Sequence, residues 1–162
     1  MTLPIIERRK IEAEMIKNIY DVLKESHGKE VAIETIDAAV SKAAIDFGDE
    51  HRKKLGRDPN LQDMADILPN WTANDALKVD ILKEEPNKLD FNVTKCRYAE
   101  MYHAMGLGEI GHVLSCNRDG KFCTGYNPNM ELKRTQTIMQ GASHCDFRYR
   151  MKNTEEETSC NL

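Results

Sequence analysis

K-R-T-Q-T-I-M-Q-G-A-S-H-C-D-F-R-Y-R-M-K, Lys133 to Lys152, is the stretch from which the architecture is built outward. From Cys145 the residues alternate. Cys145, Phe147, Tyr149 and Met151 point one way, and Asp146, Arg148, Arg150 and Lys152 point the other, because successive side chains of a strand face opposite sides. The pattern predicts a half-buried strand from His144 to Lys152, a turn at Gly141-Ala142-Ser143 and a strand from Met130 to Met139. Burial accounts for the apolar set. It does not account for Asp146 beside Arg148, or for Arg134, Thr135 and Thr137 ahead of them.

Upstream, Leu77, Val79 and Ile81 alternate with Lys78 and Asp80, and Leu89, Phe91 and Val93 alternate with Asp90, Asn92 and Thr94. The turn-rich run Glu84 to Lys88 joins them, so a first hairpin is expected. Between the hairpins, Arg97 to Met105 reads as a helix, interrupted at Gly106-Leu107-Gly108 and resumed from Glu109 to Ser115. Cys116-Asn117-Arg118-Asp119-Gly120 reads as its polar end and Phe122 to Pro128 as loop. At the N-terminus, Ile11, Met15, Ile19 and Leu23, with Ile16 and Tyr20 alongside, form a helical stripe that stops at His27-Gly28. A second helix from Glu30 to Leu55 presents Ile33, Ile36, Val40, Ala44 and Phe47, with Gly56 as its C-cap. Asn60 to Leu68 is a short helix that Pro69-Asn70-Trp71 breaks.

This order predicts an α+β fold: N-terminal helices packed on a four-stranded, mainly antiparallel sheet. Residues 1–152 are expected to form one domain, with a helical portion over 1–68 and an α/β portion over 77–152. The acidic run 153–162 reads as a disordered tail, which removes Cys160 from consideration.

The chain has 162 residues, 40% apolar and 31% charged, with a net charge of −4, the balance of a soluble globular domain. Phosphate binding favours a basic excess, so no nucleic-acid partner is expected. No apolar run approaches the roughly 20 residues of a bilayer span, and no membrane partner is expected. The N-terminus is charged within seven residues and lacks a signal-peptide core. The five cysteines are an odd number, so free thiols in the cytoplasm are expected rather than a disulfide framework. The N-terminal helices offer a surface for a homo-oligomer.

Gly106-Leu107-Gly108-Glu109-Ile110-Gly111 matches a dinucleotide-binding pattern, but a helix precedes it where a phosphate loop needs a strand. Glu109 and His112 have the spacing of a di-iron ligand pair, yet the second pair that such a site needs is missing; a surface or capping role is expected. Cys96, Cys116, Cys123 and Cys145 lack the close spacing of a zinc knuckle. No cofactor and no metal are therefore expected, with a cysteine-ligated metal site kept as an alternative. Trp71 is expected to anchor the core.

The blocks Cys96-Arg97-Tyr98-Ala99-Glu100, Cys116-Asn117-Arg118-Asp119, Pro128, Arg134 to Gly141 and Cys145 to Tyr149 closely resemble the L-2-amino-thiazoline-4-carboxylic acid hydrolase family. The resemblance implies a small-molecule substrate, a cyclic amidine whose ring opens to a carbamoyl-cysteine. Such chemistry needs a nucleophile or activated water, a group for the amidinium and a cation for the carboxylate. On that basis Cys145 or Cys116 is assigned as nucleophile, and Asp146 or Asp119 as base or amidinium holder. Arg134 or Arg148 is assigned as carboxylate clamp, with Thr135, Thr137 and Cys96 also at the site. The order hairpin, helices, hairpin also looks like the vinyl-reductase-type small-molecule-binding domain, which gives a ligand sensor as the alternative function.

Overall fold

Two long amphipathic helices and two hairpins organise the chain, and the computed structural model describes residues 2–152. Helix α1 spans Ile5–His27 and α2 spans Lys29–Leu55, joined at Gly28. Helix α2 ends where expected, at Gly56 in the left-handed conformation, whose amide donates to the Arg52 carbonyl. Helix α3, Leu61–Ile67, starts with a capping box: Asn60 accepts from the amides of Gln62 and Asp63, and Asp63 accepts from the Asn60 amide. Pro69 starts a further single turn, α4, Pro69–Thr72, where its missing amide costs nothing.

Strands β1, Leu77–Glu85, and β2, Lys88–Cys96, form the first hairpin; β3, Met130–Lys133, and β4, Cys145–Met151, form the second. The sheet order is β1-β2-β4-β3, antiparallel throughout. The fold is therefore α+β. Helix α5, Arg97–Ala104, follows β2 directly, and α6, Asn117–Tyr126, precedes β3. One apolar cluster joins α1, α2, α5 and the segment 107–114; a second joins α3, α6 and the sheet. Phe47, Trp71, Leu77, Cys96 and Ile138 pack against both.

Three expectations are corrected. The residues read as a polar end and a loop, 116–128, are helical as far as Tyr126. Their pattern is hidden because a π-helical turn at His112–Cys116 breaks the 3.6-residue period, and two glycines sit inside α6. The strand expected over Met130 to Met139 stops at Lys133, where the chain turns to bond with Asp146 and then forms a 3-10 turn at Ile138–Gln140. The core face of α1 is not the stripe Ile11, Met15, Ile19. It is Ile5, Ile6, Arg9, Ala13 and Tyr20, with Ile16 and Leu23 partly buried, while Ile11, Met15, Ile19 and Val22 are exposed along one face. The expected tail at 153–162, Cys160 included, lies outside the described residues.

The glycine-rich run follows α5 and makes a corner, with Gly106 at φ +74°. Glu109 ties that corner to the N-terminal helices: its Oε1 accepts from Tyr20 Oη at 2.5 Å and Lys24 Nζ at 3.0 Å, and its Oε2 pairs with Lys29 at 3.2 Å. The Tyr20 hydroxyl and the two ammonium groups hold its carboxyl down at about 2. A carboxylate depressed in the folded state stabilises fully above its unfolded pKa, and that contribution is lost as pH falls toward the folded value. Glu109→Gln is therefore expected to lower the melting temperature at neutral pH, with the gap to the parent closing between about pH 4.5 and about pH 2. Melting curves across that window check it. A gap that stays constant would show that the Glu109 charge is not what anchors the corner.

Candidate active site

Strand alternation builds the floor. The register Val93↔Cys145, Phe91↔Phe147 and Leu89↔Tyr149 sets these six side chains on the inner face, and the Phe91 and Phe147 rings stack at 4.8 Å. Arg134 continues the inward alternation of Met130 and Leu132 just past β3. Its guanidinium lies 4.9 Å from the centre of the Phe147 ring.

The roof is the π turn running into α6. The Asn117 amide donates to the His112 carbonyl, five residues back. Such turns concentrate at functional sites because they re-aim side chains and carbonyls. Cys116 and Asp119 follow three residues apart, on one helical face. Arg134 crosses from the floor to this roof: Nη1 donates to Asp119 Oδ2 at 2.6 Å and Nη2 to the Cys116 carbonyl at 2.8 Å.

Floor and roof bound a cavity of about 90 Å³ at the seam between the two apolar clusters. A water needs about 10–15 Å³ on this measure, so there is room for a small ring compound. Cys96, Cys116, Cys145, Asp119 and Arg134 all line it, among Phe47, Trp71 and Phe122. Trp71 thus serves as packing and as cavity wall.

Burial dominates the electrostatics. It pushes the Cys116 thiol up to about 12 and the Cys96 thiol to about 11, and it raises Cys145 as well. All three are protonated at neutral pH. Cys96 Sγ accepts from the Ala99 amide at 3.4 Å and so caps α5; Cys145 Sγ accepts from the Ile138 amide at 3.2 Å. Burial likewise pushes the Asp119 carboxyl up, and the Arg134 guanidinium only partly offsets that. The 26% of the Asp119 side chain that remains exposed lies on a residue that lines the cavity.

The other candidates sit elsewhere. Asp146 is on the opposite sheet face, where it accepts from the Thr135 and Gln136 amides at 2.9 Å each and from the Thr135 hydroxyl at 2.5 Å. Burial raises its pKa, but those donors outweigh it and hold the carboxyl below the usual range. Arg148 donates to the Phe91 and Phe147 carbonyls and to Asn92. Thr137 caps the 3-10 turn through the Gln140 amide at 3.3 Å. None of these four lines the cavity. The cross-strand ion pair on that face is Arg150 with Asp90. Among the described residues, no three His, Cys, Asp or Glu side chains are grouped to hold a metal, which leaves the cysteine-ligated alternative without a cluster.

Two charged lining residues carry no role in the sequence reading, Arg9 and Arg118. Arg9 is only 8% exposed. Its signal was a cation at the i+4 position between Ile5 and Ala13, on what is the inward face of α1. Arg118 sits in a run whose composition reads as a polar end or turn, whereas it lies in α6.

The sequence profile of L-2-amino-thiazoline-4-carboxylic acid hydrolase matches residues 8–149. The chain belongs to the L-2-amino-thiazoline-4-carboxylic acid hydrolase family. The family profile thus takes in α1 and its Arg9 as well as the second hairpin, well beyond the blocks that carried the first resemblance. No curated protein matches this family member in sequence. Among solved structures it is similar to the phenol-responsive sensory domain of the transcription activator PoxR with phenol: TM-score 0.53, 11% identity, covering 88% of this chain and 74% of that one. It is equally similar to a trafficking protein particle complex subunit 3 from Naegleria fowleri covalently bound to palmitic acid: TM-score 0.53, 10% identity, covering 90% and 96%. At these identities the likeness is one of fold. No described helix of this hydrolase-family chain is long and apolar enough to cross a membrane.

Proposed function

We propose that the protein is a hydrolase that opens a small carboxylated cyclic amidine, such as L-2-amino-thiazoline-4-carboxylate, to a carbamoyl-cysteine. The observation that carries the reading is the Asp119–Arg134 pair, set into one cavity with three thiols. The substrate combines an amidinium with a carboxylate. Asp119 is the anion that meets the amidinium, and the arginines of the cavity meet the carboxylate. The ring carbon between nitrogen and sulfur is the electrophile. Water adds there, Asp119 takes its proton, one ring bond at that carbon breaks, and the proton passes to the leaving atom. Substrate plus water then equals carbamoyl-cysteine.

Asp119 suits the role because burial has raised its pKa toward the range in which a base both exists and accepts protons well. The thiols suit attack less, since burial keeps them protonated. Cys116 becomes a nucleophile only by giving its proton to Asp119, one helical turn away.

Ring opening by the purified protein, followed by mass spectrometry, tests the activity. Cys116→Ser and Cys145→Ser are each expected to keep kcat/KM within about tenfold of the parent, because neither thiol is ionised. A fall of about a thousandfold in Cys116→Ser, with a trapped protein adduct, would replace water by the thiol as nucleophile.

A second reading rests on the apolar walls, Phe47, Trp71, Phe91, Phe122 and Phe147, together with the fold shared with a phenol-responsive domain. In it the cavity binds a small ring compound without turnover. Saturable thermal stabilisation by the amidine, with the compound recovered unchanged, would favour that reading over the hydrolase.

A further inference from the structure

Three guanidiniums line the cavity, and the chemistry just described leaves open which of them meet the carboxylate. Arg134 has a carboxylate to itself: Nη1 donates to Asp119 and Nη2 to the Cys116 carbonyl, with its face on Phe147. Arg9 and Arg118 have only one between them. Arg9 Nη1 donates to both oxygens of Glu12 at 2.9 Å. Arg118 donates through Nε to the Leu114 carbonyl at 2.7 Å and through Nη2 to Glu12 Oε2 at 3.2 Å. Two guanidiniums thus share one carboxylate.

Their remaining donors, Nε and Nη2 of Arg9 and Nη1 of Arg118, meet no protein acceptor among the described residues. No buried side-chain nitrogen or oxygen there lacks a partner. The leftover donors therefore open onto space that water reaches, and both residues line the cavity. An excess of positive charge under low-dielectric walls is costly until an anion offsets it. Burial and the neighbouring Arg9 charge both lower the Arg118 pKa, which is the same cost seen from the proton's side.

We infer that Arg9 and Arg118 form the carboxylate-binding end of the cavity, held in place by Glu12, and that the Asp119–Arg134 pair is left to the reacting end. This makes the ligand class a small ring carboxylate, and it places one specificity determinant on α1, far in sequence from the other. The inference deepens the hydrolase reading and rests on it for the choice of ring.

The test uses thiazolidine-4-carboxylate and thiazolidine, a ring of matching size that lacks the amidine, so binding is measured whether or not the protein is a hydrolase. Calorimetry on the full chain is expected to give a carboxylate preference on the order of 100-fold. Arg118→Gln and Arg9→Gln should each reduce it below about tenfold, while Arg134→Gln leaves most of it. Arg118→Lys keeps the charge but loses the fork, and should lose most of the preference too, which keeps the test informative if the glutamine variants do not fold. The inference is overturned if the parent binds neither compound, shows no preference, or keeps its preference in the Arg9 and Arg118 variants. It is also overturned if only Arg134→Gln removes it. An intact, arginine-dependent preference without turnover of the amidine would support this assignment and sink the hydrolase reading alone.

Discussion

Asp119→Asn is expected to lower kcat/KM for L-2-amino-thiazoline-4-carboxylate by about 10²–10⁴-fold, the usual worth of a positioned base. The asparagine keeps the shape of the carboxyl and still accepts from Arg134. It removes the proton acceptor and the charge that meets the amidinium. The pH profile separates this from damage to the fold. A base works only when deprotonated, and burial raises the Asp119 pKa. Activity in the parent should therefore rise with pH through a midpoint above the ordinary aspartate value of about 3.9. The residual activity of Asp119→Asn should lack that limb. Because the substitution also leaves the buried Arg134 without its counter-ion, Asp119→Asn combined with Arg134→Gln should recover part of the lost thermal stability but none of the rate. A variant within tenfold of the parent, or one that keeps the same acid limb, would remove Asp119 from the chemistry.

The floor of this cavity was legible in the sequence, and its roof was not. Period-two alternation over Cys145 to Met151 placed Cys145, Phe147 and Tyr149 on the inner face, as found. The same alternation excluded Asp146 and Arg148 from that face. The family likeness and their chemical type point to them as site residues, and the structure puts them on the opposite face. Arg134 is inward by the same rule. Cys116 and Asp119 came from the family likeness, because the π turn shifts the phase of the helix there and Gly120 and Gly125 mimic loop composition. Arg9 was lost for a different reason. The exposed face of α1 carries Ile11, Met15, Ile19 and Val22, a more continuous apolar row than its buried face. Hydrophobic periodicity alone selects the wrong side there. A guanidinium on the inward face, with Glu12 one turn along, reads as a solvent-facing ion pair until a second cation from elsewhere, Arg118, is seen to share that carboxylate.

Gly125→Ala is expected to cost about 3 kcal/mol, the upper end for overpacking, and to lower the melting temperature by roughly 6–12 °C. Helices α2 and α6 cross with backbone against backbone. A Cβ on Gly125 would lie 1.9 Å from the Ile45 carbonyl oxygen, and one on Gly48 would lie 2.2 Å from the Phe122 carbonyl oxygen. Both obstacles are main chain, so no rotamer relieves them and the helices must part. The internal control is Gly120 in the same helix, where an added Cβ meets nothing within 4 Å. There the alanine should stabilise by up to about 1 kcal/mol through helix propensity. Opposite signs for the same substitution five residues apart follow only from the close crossing; equal effects would show that the two helices have slack. The crossing also bears on the site. Asp119 and Phe122 ride on α6, and a helix displaced by an ångström stretches the 2.6 Å contact from Arg134 to Asp119 past hydrogen-bonding distance. Gly125→Ala should therefore lose activity at temperatures where it is still folded, whereas Gly120→Ala should keep it.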